Sequence, residues 1–302
     1  MNIPNILKII RVHIVVGGFL AFLLGVLLAI VGGGNFDYVR FILGYFVVFL
    51  ADLSTHYGND YFDVEVDKFV TKRKFFAGSG ILVNNPDIRF ISKIISIILL
   101  LGSNVLGALC VFYHGFPIEF FIVILTASLV GWFYSSPPVR LVSRGFGEIA
   151  VGFVTGFAIP GLGYLAIRGQ FDPLFFYFVI PFILYGLTLS LSLHVPDIEI
   201  DQRGNKRNLT VRLGQRRVFL LIFVMVFSAT LAFCIYSFQK SFFILNFAII
   251  AVFSFIPLIA GIVGFKGFFQ KKANYLSALN VMSLFIFNIV MIVYLLFIVL
   301  GV

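Results

Sequence analysis

The chain has 302 residues, of which 61% are hydrophobic and only 12% charged, with a formal net charge of +9. A soluble globular protein carries about 25% charged residues, so this composition excludes a soluble class and indicates a polytopic membrane protein. Its two cysteines, Cys110 and Cys234, fall in apolar stretches and provide neither a disulfide framework nor a zinc-binding spacing.

Apolar stretches long enough to cross a bilayer recur along the chain. A transmembrane helix needs about 20 mainly apolar residues, and such stretches lie at 12–31, 38–56, 94–112, 119–134, 149–167, 174–194, 218–238, 242–264 and 276–300. No small-residue cleavage site follows the first stretch, so we interpret it as a span. The sequence predicts an all-α polytopic bundle of about nine transmembrane helices around a central cavity. We expect a single domain over residues 1–302, with motif-bearing halves at about 1–133 and 134–302.

The basic residues are distributed unevenly between the two sides of this predicted bundle. If the N-terminus is cytosolic, the segments on its side carry 19 Lys and Arg, whereas the other side has Arg40, Arg168 and Lys240. This split follows the positive-inside rule. It predicts a multi-pass protein of the cell membrane with a cytosolic N-terminus, and it favours the lipid bilayer over nucleic acid as the reason for the positive charge.

The acidic residues are concentrated, and the first cluster follows the second apolar stretch. Asp60, Asp63, Glu65 and Asp67 lie within eight positions, although the whole chain has only 13 acidic residues. On a helix, Asn59, Asp63 and Asp67 share one face, and Glu65 points elsewhere. Concentrated like charges are unfavourable unless a cation neutralises them. Oxygen ligands of this kind suit Mg²⁺.

A second cluster, Asp197, Glu199 and Asp201, repeats the pattern of the first. The pattern D-[VI]-E-[VI]-D-x4-K-R begins at Asp63 and again at Asp197, 134 positions later. Such a repeat indicates internal duplication, which in membrane proteins builds two halves around a central site. The sequence therefore predicts that both clusters face one cavity from the cytosolic side.

Of the other polar residues near the clusters, some allow two interpretations. Asp52 and His56 are either solvated helix-end residues or part of the site. The basic run at 72–74 is either a cytosolic flank or a phosphate-binding segment. Glu148 is expected to favour the positive end of its own helix, and His194 to serve packing or capping rather than metal binding.

Two facing carboxylate clusters beside Lys and Arg fit an amphiphilic diphosphate bound through a divalent metal. The metal makes diphosphate a better leaving group, and aromatic side chains can shelter the allylic cation that forms while water is excluded. A nucleophilic acceptor then attacks C1. The alternative from a different class is a cation-coupled transporter, which should carry ionisable residues at mid-membrane in broken helices.

Four segments together resemble the UbiA superfamily of intramembrane prenyltransferases. They are N-D-Y-F-D-x3-D at 59–67, D-x-E-x-D at 197–201, Y-S-x-P-P-x-R-L at 134–141 and T-V-R-L-G at 210–214. The resemblance implies Mg²⁺, for which Mn²⁺ can substitute, bound with diphosphate by Asn59, Asp63, Asp67, Asp197 and Asp201. It implies catalytic roles for these aspartates and Asp60, and phosphate or acceptor contacts for Asn59, Lys68, Arg73, Tyr134, Arg140, Lys206 and Arg207.

The resemblance also bears on the acceptor. S-G-I-L at 79–82 and R-G-F-G-E at 144–148 look like the branch that prenylates 1,4-dihydroxy-2-naphthoate for menaquinone, with geranylgeranyl diphosphate as the expected donor. The alternative is digeranylgeranylglyceryl phosphate synthase, which alkylates a glyceryl phosphate acceptor. That branch has a D-R-P-[IL]-x-S-G loop, from which K-R-K-F-F-A-G-S-G at 72–80 departs. Haem farnesylation and 4-hydroxybenzoate prenylation stay open.

Overall fold

The computed structural model of the protein describes residues 3–69, 79–238, 245–267 and 273–301. The basic run at 72–74, including Arg73, lies outside the described residues. Within the described ranges the chain is helical and forms no strand. The helices are α1 (Ile3–Leu7), α2 (Val12–Val31), α3 (Tyr38–Asp67), α4 (Ile81–Asn84), α5 (Arg89–His114), α6 (Ile118–Ser135), α7 (Leu141–Arg144), α8 (Gly147–Phe153), α9 (Ile159–Arg168), α10 (Pro173–His194), α11 (Ile198–Arg203), α12 (Leu209–Tyr236), α13 (Phe247–Gly267) and α14 (Ala273–Leu300).

Nine helical segments of the described ranges are long and apolar enough to cross a membrane. They are Val12–Val31, Tyr38–Asp67, Pro86–His114, Ile118–Ser135, Gly147–Arg168, Pro173–Arg203, Leu209–Tyr236, Phe247–Gly267 and Ala273–Leu300. Three of them combine shorter elements, since a 3₁₀ turn at Pro86–Ile88 leads into α5, a π-helical turn joins α8 to α9 and a 3₁₀ turn joins α10 to α11. The prediction of an all-α, nine-span fold is confirmed, and the protein is a multi-pass membrane protein.

The second span is longer than its apolar stretch predicts. We expected it to end at residue 56, but α3 continues to Asp67 and carries the whole first acidic motif. The start of α3 is capped by Asp37, whose carboxylate accepts hydrogen bonds from the backbone N–H groups of Val39 and Arg40. Hydropathy alone could not extend the span, because the added residues are polar.

A row of buried serine hydroxyls joins α3 to α5. Ser54 and Ser96 donate to each other's backbone carbonyls at 2.9 and 2.8 Å. Ser92 donates to the carbonyl of Tyr57 and Ser103 to that of Val47. With no water in the bilayer interior to replace them, these hydrogen bonds hold the two helices in one register and fix the position of α3.

The second acidic motif lies at a break in its helix rather than inside it. Helix α10 ends at His194, where the apolar stretch 174–194 also ends, and Pro196 and Asp197 lie in the 3₁₀ turn Val195–Asp197 that leads into α11. Proline cannot donate the backbone hydrogen bond that a continuous helix requires. The two motifs therefore differ in local geometry even though their sequences repeat.

Helices α2 and α9 pack closely where glycine replaces a side chain on each. A Cβ built at Gly25 would overlap the carbonyl of Pro160, and one built at Gly163 would overlap the carbonyl of Phe22. Small residues at such a crossing allow two backbones to meet inside a membrane.

Replacing Gly25 by alanine should therefore destabilise the protein, by about 1–3 kcal/mol, because the obstructing atom belongs to the backbone. Thermal unfolding in detergent measures the loss. Gly102→Ala is the matched control, since the nearest atom to its Cβ is a Leu50 methyl carbon at 3.9 Å. Equal unfolding temperatures for the two variants would contradict the packing argument.

Candidate active site

A cavity of about 300 Å³ opens between α2, α3, α6, α10, α14 and the turn that joins α8 to α9. Its lining is mostly apolar, with several aromatic rings and a set of polar side chains. The polar lining residues include Arg11, His13, Asp52, Thr55, His56, Asn59 and Tyr134, and the aromatic ones include Phe182, Tyr185 and Phe285.

The two acidic motifs meet at one lysine, near the part of the cavity that Asn59 and Tyr134 line. Lys206 Nζ lies 3.2 Å from Asp63 Oδ2 and 3.9 Å from Asp201 Oδ1. Burial lowers the pKa of Lys206, but the carboxylates of Asp63 and Asp201 outweigh burial and raise this pKa above its usual value. The lysine is therefore an ammonium throughout the neutral range, and one positive charge joins motifs from the two halves of the chain.

Asp67 and Asp197 lie close to residues of this centre. Asp63 also accepts a hydrogen bond at 3.4 Å from the buried hydroxyl of Ser135, which the sequence did not single out. Asp67 is half-buried within electrostatic reach of Asp63 and Lys206. Asp197 is half-buried and within reach of Asp201. The structure thus brings Asp63, Asp67 and Asp201 within electrostatic reach of Lys206, with Asp197 within reach of Asp201.

The Asp201 carboxylate is hydrogen-bonded to Asn208, another residue that sequence reasoning missed. The Asn208 amide nitrogen donates to Asp201 Oδ2 at 2.6 Å, while its oxygen accepts from the backbone N–H of Val211 and caps α12. Glu148 is fully buried and accepts from the backbone N–H of Leu209 at 2.9 Å. Glu148 lies in the first turn of its own helix, as expected, and it also binds the start of α12.

Asp60 has protein partners of its own. It is only 2% exposed and accepts a hydrogen bond from Arg11 Nη2 at 2.9 Å. It also accepts from the backbone N–H and the hydroxyl of Ser79. Since these groups belong to the segments before α2 and before α4, Asp60 anchors both segments to α3. Arg11 had entered the sequence argument only as part of the charge count.

Tyr134 lines the cavity and is oriented by a histidine. The Tyr134 hydroxyl lies 3.3 Å from His194 Nε2, and His194 Nδ1 lies 2.8 Å from the backbone carbonyl of Ser190. A carbonyl only accepts, so Nδ1 carries the ring hydrogen and Nε2 accepts from Tyr134. The histidine thus positions Tyr134 beside the cavity.

The remaining predicted contacts are not gathered at this centre. Lys68 forms an exposed ion pair with Glu65 at 2.6 Å, and Glu65 points away from the motif as expected. Arg140 and Arg207 are exposed, and Arg207 contacts its neighbours through its backbone N–H and carbonyl.

The donor set at the centre suits a hard divalent cation, although the described residues contain no ready-made cage of three His, Cys, Asp or Glu side chains. Carboxylate oxygens from both motifs already surround one cation, the Lys206 ammonium. Mg²⁺ prefers a few carboxylates completed by water and phosphate oxygens rather than an all-protein cage. The residues therefore fit a metal that binds together with a phosphorylated substrate, and the five predicted ligands stay a prediction.

Solved structures share this fold over nearly the whole chain. A UbiA homologue from Archaeoglobus fulgidus bound to DMAPP and Mg²⁺ matches with a TM-score of 0.72 at 17% identity, covering 98% of this chain and 100% of that one. A UbiA homologue from Aeropyrum pernix K1 matches at 0.69 and 14% identity, covering 92% and 97%. A digeranylgeranylglyceryl phosphate synthase matches at 0.64 and 20% identity, covering 96% and 97%. At these identities the matches establish the fold alone.

Two sequence comparisons complete the assignment. The chain is 29% identical over 159 residues to chloroplastic chlorophyll synthase from Avena sativa, an alignment that covers 52% of this chain and 40% of that protein's length. A family model described as the UbiA prenyltransferase family matches residues 19–259, a range that includes both acidic motifs. Because this match extends over most of the 302 residues, the chain belongs to the UbiA prenyltransferase family.

Proposed function

We propose that this UbiA-family prenyltransferase moves a polyprenyl group from an allylic diphosphate, geranylgeranyl diphosphate being the expected donor, to a quinone precursor such as 1,4-dihydroxy-2-naphthoate. The observation that carries the proposal is the position of Lys206 between Asp63 and Asp201. A centre that gathers carboxylates from both halves of the chain around one cation is suited to a diphosphate and its metal.

Mg²⁺ would be held by Asn59, Asp63, Asp67, Asp197 and Asp201, and when bound it neutralises the diphosphate and improves it as a leaving group. Other proteins of this fold support the pairing of metal and donor. Structures of the Archaeoglobus fulgidus homologue contain DMAPP with Mg²⁺, GPP with Mg²⁺, and Cd²⁺. Lys206 adds a fixed positive charge beside the same carboxylates, where it can pair with diphosphate oxygens.

The cavity supplies a dry compartment for the allylic group. Phe182, Tyr185 and Phe285 line its apolar part, and Tyr134 lies between that part and the acidic centre. Aromatic faces stabilise a nearby positive charge, and the exclusion of water protects a reactive cation from hydrolysis. The chain thus binds the diphosphate at the acidic centre and shelters C1 in the cavity.

We place the acidic centre on the cytosolic side. The support is the 19 to 3 division of basic residues between the two sides of the bundle. The transporter alternative is not retained, because the chain belongs to a family of transferases. Ether-lipid synthesis is the competing acceptor assignment, and the match to a synthase of that pathway concerns the fold only.

The test is a transfer assay on the full chain reconstituted in lipid, with radiolabelled geranylgeranyl diphosphate, Mg²⁺ and either acceptor. We expect a lipid-soluble product with 1,4-dihydroxy-2-naphthoate. Transfer should stop when the metal is chelated and resume when Mg²⁺ is restored, because the diphosphate cannot leave without its counterion. Product with geranylgeranylglyceryl phosphate alone would reassign the acceptor. Full activity under strong chelation would overturn the metal role.

A further inference from the structure

A second polar group lies deeper in the cavity, away from the acidic motifs. Asp52 and His56 both line the cavity from α3, on the face that also carries Asn59. The three residues are spaced at i, i+4 and i+7, so their side chains project from one side of the helix. Asn59 is a proposed metal ligand, whereas Asp52 and His56 have no role in the proposed function.

Hydrogen bonding fixes the orientation of His56. The backbone N–H of Arg11 donates to His56 Nδ1 at 3.4 Å, so Nδ1 is an acceptor and the neutral ring carries its hydrogen on Nε2. Nε2 is buried, forms no hydrogen bond with any residue that the structure describes, and lies 3.6 Å from Asp52 Oδ1. The ring therefore directs its N–H towards Asp52 without completing a bond.

The Asp52 carboxylate has room on its other side. Its Oδ2 faces Gly18 of α2, and Gly17 and Gly18 both line the cavity there. No side chain from these glycines fills the space. A carboxylate within a membrane span is unfavourable unless hydrogen-bond donors satisfy it. The Asp52 carboxylate, with the His56 N–H nearby, can therefore accept a further hydrogen bond from a donor group in the cavity.

We propose that Asp52, oriented by His56, binds a hydroxyl group of the prenyl acceptor at the inner end of the cavity. The inference rests on the proposed function and specifies its acceptor as a compact hydroxylated aromatic ring system. Asp52 is then a substrate-binding residue, and His56 is a positioning residue.

The distance along α3 between Asp52 and Asn59 supports this class of acceptor. Asn59 follows Asp52 by seven positions, which corresponds to about 10 Å along the helix axis. A ring with two hydroxyl groups in para positions spans about half of that length, and the hydrogen bond to Asp52 and the approach of the ring to the donor cover the rest. One hydroxyl would bind Asp52 while the reactive edge of the ring lies near Asn59 and the donor.

A lipid acceptor fits the same cavity poorly. In a glyceryl phosphate lipid the free hydroxyl is also the nucleophile, so it must stay near the donor. An alkyl chain would then lie against Asp52 and remove water from the carboxylate without supplying a hydrogen bond, which is unfavourable. The position of Asp52 therefore favours the aromatic class.

The test compares wild type with Asp52→Leu and Asp52→Asn, each reconstituted as the full chain. Asp87→Asn is the matched control, because Asp87 is an exposed carboxylate outside the cavity. Donor binding is measured as the thermal stabilisation by Mg²⁺ with the unreactive thiolo analogue of geranylgeranyl diphosphate. Acceptor recognition is measured as KM and kcat for 1,4-dihydroxy-2-naphthoate, and as Ki for its two monohydroxy analogues.

We expect Asp52→Leu to raise the acceptor KM about 10- to 100-fold, the range for a lost hydrogen bond to a charged group. Donor stabilisation should stay unchanged, and Asp87→Asn should behave as wild type. In wild type, one monohydroxy analogue should bind more weakly than the other, and Asp52→Leu should abolish that difference. Asp52→Asn keeps the shape and an acceptor oxygen, so it should lie between wild type and Asp52→Leu.

Three results would overturn the inference, and they differ in what they leave standing. An unchanged acceptor KM in Asp52→Leu would remove Asp52 from acceptor binding and leave prenyl transfer intact. Transfer by wild type to the glyceryl phosphate acceptor alone would reject the aromatic class. Failure of wild type both to bind the donor analogue with Mg²⁺ and to transfer would reject the proposed function, and the inference with it.

Discussion

Replacing Asp63 by asparagine is expected to lower prenyl transfer by about a thousandfold, the rate equivalent of several kcal/mol of charge stabilisation. Asp63 is the residue of the first motif that Lys206 and Ser135 both contact, so it lies at the junction of the two halves. Loss of its charge weakens the centre that would hold the metal and the diphosphate. Steady-state transfer at saturating Mg²⁺ measures the effect.

The matched control is Glu65→Gln, two residues away in the same motif. Glu65 is 65% exposed at its side chain and pairs with Lys68 rather than with Lys206, so its activity should stay within about twofold of wild type, as for most surface substitutions. Thermal unfolding of both variants separates loss of function from loss of fold. Equal activity in the two variants would remove Asp63 from the site.

Replacing Lys206 by methionine should have the second largest effect, and it should change the responses to the donor and to Mg²⁺ in opposite directions. Without its ammonium, affinity for the diphosphate donor should fall about 100-fold. Asp63 and Asp201 would then lack their shared cation, which should destabilise the ligand-free protein by about 3 kcal/mol. Mg²⁺ alone should stabilise the variant more than it stabilises wild type, because the ammonium no longer competes for the carboxylates. Thermal shift titrations measure both effects.

Lys68→Met is the control for the loss of a lysine in the same region. The Lys68 side chain is 53% exposed in its pair with Glu65, and surface pairs contribute about 0–1 kcal/mol. It should alter neither donor affinity nor the response to Mg²⁺. If Lys206→Met bound the donor as tightly as wild type, Lys206 would hold the motifs together without taking part in binding.

Much of this arrangement follows from sequence because the underlying rules are local. Apolar length defines a span, and helical spacing alone places Asn59, Asp63 and Asp67 on one face. The termination of α10 just before Pro196 also follows from local chemistry. The cap at Asn208 had a usable signal, since Asn directly before an apolar helix is a favoured start.

Contacts between distant segments could not be predicted in the same way. Arg11 and Asp60 are 49 residues apart, and nothing near either residue identifies the other. The sequence named several basic residues as phosphate contacts, and only the path of the chain between α11 and α12 selects Lys206 over Lys68 or Arg207. The interpretation of Asp52 and His56 stayed open because the partner of His56, the backbone N–H of Arg11, lies before a different helix.

The serine hydrogen bonds between α3 and α5 have a mechanical consequence. Four serine hydroxyls donate hydrogen bonds to backbone carbonyls along the helix pair. The two helices can therefore slide past each other only if several of these hydrogen bonds break together. A substrate that enters or leaves must widen the cavity somewhere, and the α3–α5 pair is the part that resists movement most. We therefore expect the opposite wall, formed by α2, α10 and α14, to move. Helix α3 then keeps its position, and donor and acceptor are aligned along it.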